Sequence, residues 1–507
     1  MKRVISVNPA TGDTFELDVD ETSIDEAALA CTHAQSAAPE LATRSLVWRA
    51  EMLRSMASEL EANAPTLVEL AMRETALTRT RLEGELRRTA FQLRFFSDVV
   101  LEGSFLQASI DHATDSPMGP LPDLRRVRVP VGPVAVFGSS NFPFAFSVPG
   151  GDTASALAAG CPVVIKAHPA HPATSLATFE SLFRGALLVD APKGTVNVVF
   201  GLDAGIALVE NPAIRAVGFT GSVAAGRALW QRANARATPI PFFGELGSAN
   251  PLVVTSRALV ARAGEIGAGI AGSMTLGAGQ FCTKPGLLFV PEGGLGDELV
   301  AALTDALREL DPMTMLSSAI AHRFYDGVRD IDNVPDSHHL VGDVHESGAN
   351  AQSQLFEVTS EAFNQRSSSI LREECFGPLG VVVRYRDADD LRAALENLEP
   401  ALTFSVFCAD DDPDARWLVD LGETKAGRVI ANQFPTGVAV SWSMQHGGPW
   451  PSTTTPGATS VGASGIDRWL RPVTYQAMPA SLLPEVLRDE NPLGVPQRVD
   501  GVLQPRA

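Results

Sequence analysis

PVAVFG (133–138), PVVIKA (162–167), TVNVVFG (195–201), IRAVGFTG (214–221) and PIPFFGEL (239–246) are short apolar runs in the first half of the chain. Each is bounded by Gly, Pro or a helical stretch, and none keeps a strict apolar–polar alternation. Each therefore reads as a strand covered on both faces. Between them, residues 151–159, 173–188, 204–210 and 222–233 carry apolar residues at helical spacing. Strand and helix in regular succession make a parallel sheet with crossover helices.

That layout is Rossmann-like. On its N-terminal side, residues 24–38, 45–64, 65–74 and 81–101 read as amphipathic helices. Residues 111–123, rich in Pro, Asp and Ser, read as a loop, and 124–131 alternates as a strand does. On its C-terminal side a second α/β segment runs over 251–441. Its helix at 258–271 leads toward Cys282, and its strands are PGLLFV (285–290), LGVVVRY (379–385), TFSVFC (403–408) and RVIANQF (428–434). The tail after Leu482 is rich in Pro, Asp and Arg and is expected to wrap the surface.

Composition narrows the class of protein. The 507 residues are 45% hydrophobic and 20% charged, ordinary for a globular chain, with a net charge of −19. So acidic a surface argues against nucleic acid or an anionic membrane as partner. Residues 129–151 carry no charge, but Pro130, Pro133, Pro143 and Pro149 interrupt them too often for a membrane helix. The five cysteines, Cys31, Cys161, Cys282, Cys375 and Cys408, are scattered and form no Cys-x-x-Cys pair. Neither a disulfide framework nor a zinc site is expected, and reduced thiols without a secretory leader fit the cytoplasm.

Five segments carry residues with chemistry: SSNFP around Asn141, GFTGSVAAG around Gly221, FFGELGSANP around Glu245, GAGQFCTKPG around Cys282 and EECFGPLG around Glu374. A thiol at Cys282 can attack a carbonyl carbon once ionised, although most free cysteines are simply small buried hydrophobes. Glu245, between apolar residues and glycine, can have a raised pKa and act as a base, or it can face water at a strand end. Asn141 can donate to an oxyanion or merely shape a turn. Gly221 and Gly226 flank a helix start where a pyrophosphate would sit, at a spacing that differs from the usual dinucleotide fingerprint.

In this order the five segments resemble the aldehyde dehydrogenase superfamily over essentially the whole chain. The resemblance implies a Rossmann-like cofactor domain (1–106 and 132–247), an α/β catalytic domain (248–442), and a small β oligomerisation arm with the C-terminal tail (107–131 and 468–490). It implies Cys282 as nucleophile, Glu245 as general base and Asn141 as oxyanion donor. It also implies cofactor contacts from Lys166, His168, Gly221, Ser222, Gly226, Leu246, Glu374 and Phe376, and assembly as a homodimer or homotetramer.

The segments AFSVPGGDTASALAAGCPVVIKAHPAHPATS and PTGVAVSWSMQHGGPWPSTTT are similar to the α-ketoglutaric semialdehyde dehydrogenases and related bacterial NADP-preferring enzymes. That similarity implies oxidation of α-ketoglutaric semialdehyde to α-ketoglutarate through a cysteine thioester. The alternatives are a broad NADP-dependent dehydrogenase of neutral aldehydes, a cofactor-independent thiol hydrolase, an acylating dehydrogenase using coenzyme A, and an inactive relative. Three positions depart from the subfamily pattern: Leu246 stands for Met, Lys284 for Asn and Leu86 for Arg.

The cofactor expectation is NADP, with NAD possible. Many NAD-specific relatives carry a Glu three residues after the lysine that matches Lys166; here that position is Pro169, so no carboxylate repels a 2′-phosphate. For the substrate, an anion approaching an acidic protein needs a local cation. Arg88 matches a subfamily arginine, and Gln92 shares its helix face. Lys284 is the second candidate cation, and Phe146 and Trp450 are the expected apolar walls.

Overall fold

The structure is a computed structural model that describes residues 2–344 and 346–505. The decisive runs form a five-stranded parallel sheet in the order Phe242–Glu245, Ala216–Thr220, Val134–Phe137, Val163–Lys166, Val196–Val199. Both faces are buried, as the lack of alternation required. Val134, Val136, Val163 and Ile165 join one core cluster with Leu93, Phe96, Leu157 and Trp469. Ala135, Phe137, Val164, Val217 and Phe219 join another with Leu208 and Leu246. Each fully buried Leu or Phe contributes about 1.5–3 kcal/mol, which holds the helices on both faces.

A second sheet of seven strands runs His338–Val341, Gln354–Thr359, Leu379–Tyr385, Leu287–Pro291, Pro251–Val254, Ala401–Phe407, Ala426–Ala431. All its pairs are parallel except the antiparallel edge strand His338–Val341. Leu287 and Phe289 face one core cluster, and Leu288 and Val290 the other. Pro251–Val254 pairs with two strands here, although it falls among the residues read only as the start of the segment. Its single burial-saturated run of four residues left no periodicity to read. The helix expected at 258–271 begins later, at Ala263–Thr275.

The third sheet holds Leu470–Gln476, Leu124–Pro130, Ala108–Asp111, Gln497–Val499 and Val502–Gln504 in that order. Its last two strands correct the expectation for the tail. Gln497–Val499 pairs in parallel with Ala108–Asp111, and its hairpin partner Val502–Gln504 closes the edge. The pattern Gln-Arg-Val carries little apolar signal; backbone pairing, the buried Gln497 amide donating to Val486 O (2.9 Å) and Val499 against the arm core hold the first of these strands.

The long helix Arg79–Glu102 starts at a Thr78 cap and buries Leu82, Leu86, Leu93 and Phe96. It lies beside the turn that follows Val134–Phe137. Buried Glu85 accepts the N–H groups of Phe144 (2.8 Å) and Ala145 (3.0 Å), and Arg81 Nη2 donates to the Asn141 carbonyl at 2.8 Å. The loop carrying Asn141 is thereby fixed from outside the sheet.

Candidate active site

The strand Phe242–Glu245 ends with Glu245 pointing into a cleft of about 1450 Å³. Asn141, Phe146 and Cys282 line the same cleft. Cys282 reaches it on the turn between the helix Ala263–Thr275 and the strand Leu287–Pro291. Buried Asn250 pins that turn by donating to the carbonyls of Cys282 (2.7 Å) and Lys284 (3.0 Å). The Asn141 amide, 8% exposed, donates to Gln280 O at 2.8 Å, so it sits against the turn that carries Cys282.

Two residues at the site, His446 and Ser460, are not singled out by the sequence reading. His446, 1% exposed, places Nε2 3.5 Å from Cys282 Sγ and 2.9 Å from Glu245 Oε1. Ser460 Oγ donates to the other Glu245 oxygen. Both residues arrive on the segment that returns from the second sheet. This segment is stitched to the Glu245 strand by Leu246 N–H to Ser452 O (2.8 Å) and Thr454 N–H to Gly244 O (3.0 Å). Ser460 N–H to His446 O, at 2.9 Å, holds the two together. The available signal is a histidine directly before the Gly447–Gly448 pair.

The electrostatics correct one expectation. Burial pushes the Glu245 carboxyl up, but His446, Ser460 and Arg468 outweigh it and hold the carboxyl below the usual range. Glu245 is therefore ionised at neutral pH. Cys282 moves the other way: burial first, then the Glu245 and Glu374 carboxylates, push its thiol well above the usual range, with Arg428 opposing them. The resting sulfur is protonated and needs an acceptor, and His446 is the nearest.

At the other end of the cleft lie Lys166, His168, Gly221, Ser222 and Leu246, with Glu374 and Phe376 toward Cys282. Burial pushes Lys166 down to about 8. Burial first, then His171, Lys166 and Arg323, push His168 well down, so its ring is neutral. His168 Nδ1 accepts the Ala170 N–H at 3.1 Å, which leaves the proton on Nε2 as a donor. Ser222 caps the helix Val223–Ala235 directly after Gly221. Gly226 does not line the cleft; a Cβ there would collide with Leu246, so its task is to bring the helix onto the sheet. The ammonium, imidazole and helix N-terminus at one end, with a carboxylate at the other, are a donor set that fits a dinucleotide.

The substrate expectations divide. Arg88 and Gln92 do not line the cleft themselves; Arg88 stands behind Phe146, its guanidinium 5.3 Å from that ring centroid, and donates to Gln92 Oε1 (3.2 Å) and Val438 O (3.1 Å). Among the described residues no carboxylate lies within ion-pair distance of Arg88. Gln92 is buried and orients Arg88. Lys284 is corrected: it is 3% exposed, and its ammonium donates to the carbonyls of Leu379 (2.6 Å) and Cys375 (3.2 Å) instead of meeting an aldehyde. Trp450 is corrected too: it is 41% exposed, is absent from the cleft lining, and its ring centroid is 5.7 Å from that of Trp230. Leu86, at the third departing position, is a buried core residue.

A dinucleotide-type parallel sheet opening on a half-buried thiol, with a buried imidazole and a buried carboxylate beside it, has the parts of a nicotinamide-dependent oxidoreductase. The chain belongs to the aldehyde dehydrogenase family, whose sequence model matches residues 2–474. It is an enzyme that oxidises aldehydes with NAD(P). It is 44% identical over 478 residues to alpha-ketoglutaric semialdehyde dehydrogenase 2 of Azospirillum brasilense, covering 93% of this chain and 90% of that one. It is 42% identical over 459 residues to alpha-ketoglutaric semialdehyde dehydrogenase of Acinetobacter baylyi, covering 90% of this chain and 87% of that one. The fold is shared with the crystal structure of an Escherichia coli NADP-dependent enzyme (TM-score 0.80, 24% identity, 94% of each chain). Aldehyde dehydrogenase 21 of Physcomitrella patens, solved with succinate, shares it as well (TM-score 0.80, 22% identity, 95% of this chain and 96% of that one). No helix among the described residues is long and apolar enough to cross a membrane.

Proposed function

We propose that the enzyme oxidises α-ketoglutaric semialdehyde to α-ketoglutarate, uses NADP at least as well as NAD, and works through a thioester on Cys282. The observation that carries the mechanism is the Cys282–His446–Glu245 contact chain at the floor of the cleft. The Sγ proton passes to His446 Nε2, and the imidazolium so formed is stabilised by Glu245 2.9 Å away. The thiolate adds to the aldehyde carbon, and the Asn141 amide donates to the developing oxyanion. When bound, NAD(P) supplies the hydride acceptor that no side chain can provide. Glu245 then takes a proton from water, the resulting hydroxide attacks the thioester, and His446 returns its proton to the departing sulfur.

Three features support the finer assignments. The relatives described above at 44% and 42% identity are both named for this semialdehyde. Arg88 is a half-buried cation without a carboxylate partner, beside a ring that lines the cleft. Lys166 with neutral His168 offers two donors to a 2′-phosphate, and Pro169 removes the competing carboxylate. The arm sheet, whose edge strand Leu470–Gln476 is largely exposed, is the surface through which we expect a dimer or tetramer to form. The test of substrate class is Arg88→Ala, assayed on the semialdehyde and on an uncharged aldehyde of similar length. Loss of one charge-assisted contact costs about 1.5–3 kcal/mol, so kcat/KM should fall roughly ten- to a hundredfold on the semialdehyde alone. An equal loss on both substrates would remove Arg88 as the carboxylate anchor.

A further inference from the structure

We infer that Lys284, two residues beyond the nucleophile, is a positioning residue for the cofactor: it holds the turn that begins at Glu374 and so sets that carboxylate in the cleft. The inference rests on the reading of Glu374 as the group that accepts the hydroxyls of the nicotinamide ribose.

The geometry has three parts. First, the two Lys284 hydrogen bonds go to Cys375 O and Leu379 O, which bracket Phe376, Gly377 and Pro378. Both ends of the turn are thus tied to one ammonium, whose own backbone is anchored by Asn250. Second, Lys284 and Glu374 line the same small internal cavity with Ser248 and Leu379, while Glu374 also lines the main cleft. The carboxylate has the buried ammonium behind it and the cofactor space in front. Third, the seat of Glu374 is built for a carboxylate. Gly247 leaves room for it: a Cβ there would meet Glu374 Oε2, and the carboxylate would have to move from its present place.

Charge explains why a lysine is used for this. Burial raises the Glu374 carboxyl to about 7, and Lys284 together with the Ser248 N–H works against that rise. Burial lowers Lys284 in turn. Among the described residues no carboxylate lies within ion-pair distance of Lys284, so its charge is not consumed by a closer partner. Burying an ammonium is costly, and here two carbonyl acceptors and the Glu374 carboxylate lining the same cavity offset that cost. An asparagine at this position would be shorter and uncharged.

The experiment measures NADPH binding by fluorescence titration, without any aldehyde, for the wild type, Lys284→Asn, Lys284→Met, Glu374→Gln and Lys284→Asn/Glu374→Gln. ADP binding is measured in parallel as a probe of the adenosine end. Each Lys284 variant should raise the NADPH Kd about tenfold, the size of one charge-assisted contact, with the ADP Kd unchanged. In the Glu374→Gln background the Lys284→Asn change should add almost nothing. Three results would overturn the inference: an unchanged NADPH Kd, an equal weakening of ADP, or full additivity with Glu374→Gln. None of these depends on which aldehyde the enzyme prefers.

Discussion

The two ends of the cleft are built in opposite ways. The end that holds Lys166, His168, Gly221 and Ser222 is made by turns between consecutive strands and helices of one sheet. The end that holds Cys282 is assembled from segments around residues 141, 245, 282, 446 and 460, which only the tertiary fold brings together. The first end depends on local backbone geometry, which few substitutions disturb. The second depends on contacts across chain boundaries, so single side-chain changes there should have the larger effects.

The largest effect in this comparison is expected at His446. His446→Gln removes the acceptor 3.5 Å from the sulfur and should lower kcat/KM roughly 10²–10⁴-fold. Because burial and two carboxylates raise the Cys282 thiol, what activity remains should climb with pH, as hydroxide replaces the lost base. Pre-steady-state alkylation of the thiol across pH checks this. A variant with the wild-type pH profile would break the contrast between the two ends.

A smaller effect is expected at Lys166. Lys166→Ala should raise KM for NADP by about tenfold and leave NAD nearly unaffected. The wild type adds a sharper test. Lys166 is pushed to about 8 in the free protein, so it is charged below that pH and neutral above it. KM for NADP should therefore worsen as pH rises through 8, while KM for NAD stays flat. Parallel KM–pH curves for the two cofactors would show that Lys166 does not meet the 2′-phosphate.

The same contrast explains what could be read in the sequence. Val134–Phe137 and Val163–Lys166 announce themselves because strands buried on both faces must be continuously apolar. Cys282, Glu245 and Asn141 stand out through the glycines and apolar residues beside them, and the resemblance supplies their roles. His446 stays hidden because nothing in QHGGPW says that Thr454 and Ser452 will pair with the Glu245 strand and carry the ring to the sulfur. Lys284 and Trp450 mislead for a related reason: proximity in sequence to the nucleophile or to a motif says nothing about direction. Lys284 turns into the protein toward Leu379, and Trp450 turns outward onto Trp230. The tail strands are invisible because Gln497–Val499 is held by backbone pairing to Ala108–Asp111 and by a buried Gln, and Val502–Gln504 by backbone pairing to Gln497–Val499, none of which leaves an apolar pattern.

In the proposed mechanism Cys282 carries the substrate as a thioester which Glu245 then hydrolyses. The direct measurement is rapid-quench intact-mass spectrometry of Glu245→Gln, mixed with semialdehyde and NADP, alongside the absorbance of reduced cofactor. The proposed mechanism predicts a burst of about one equivalent of NADPH per subunit, itself slower than in the wild type because the His446 imidazolium loses its carboxylate partner, a mass increase equal to the acyl group that maps to Cys282, and steady turnover slowed further, roughly 10²–10⁴-fold. Sustained turnover near the wild-type rate without a burst, or an adduct that maps to any other residue, would contradict it.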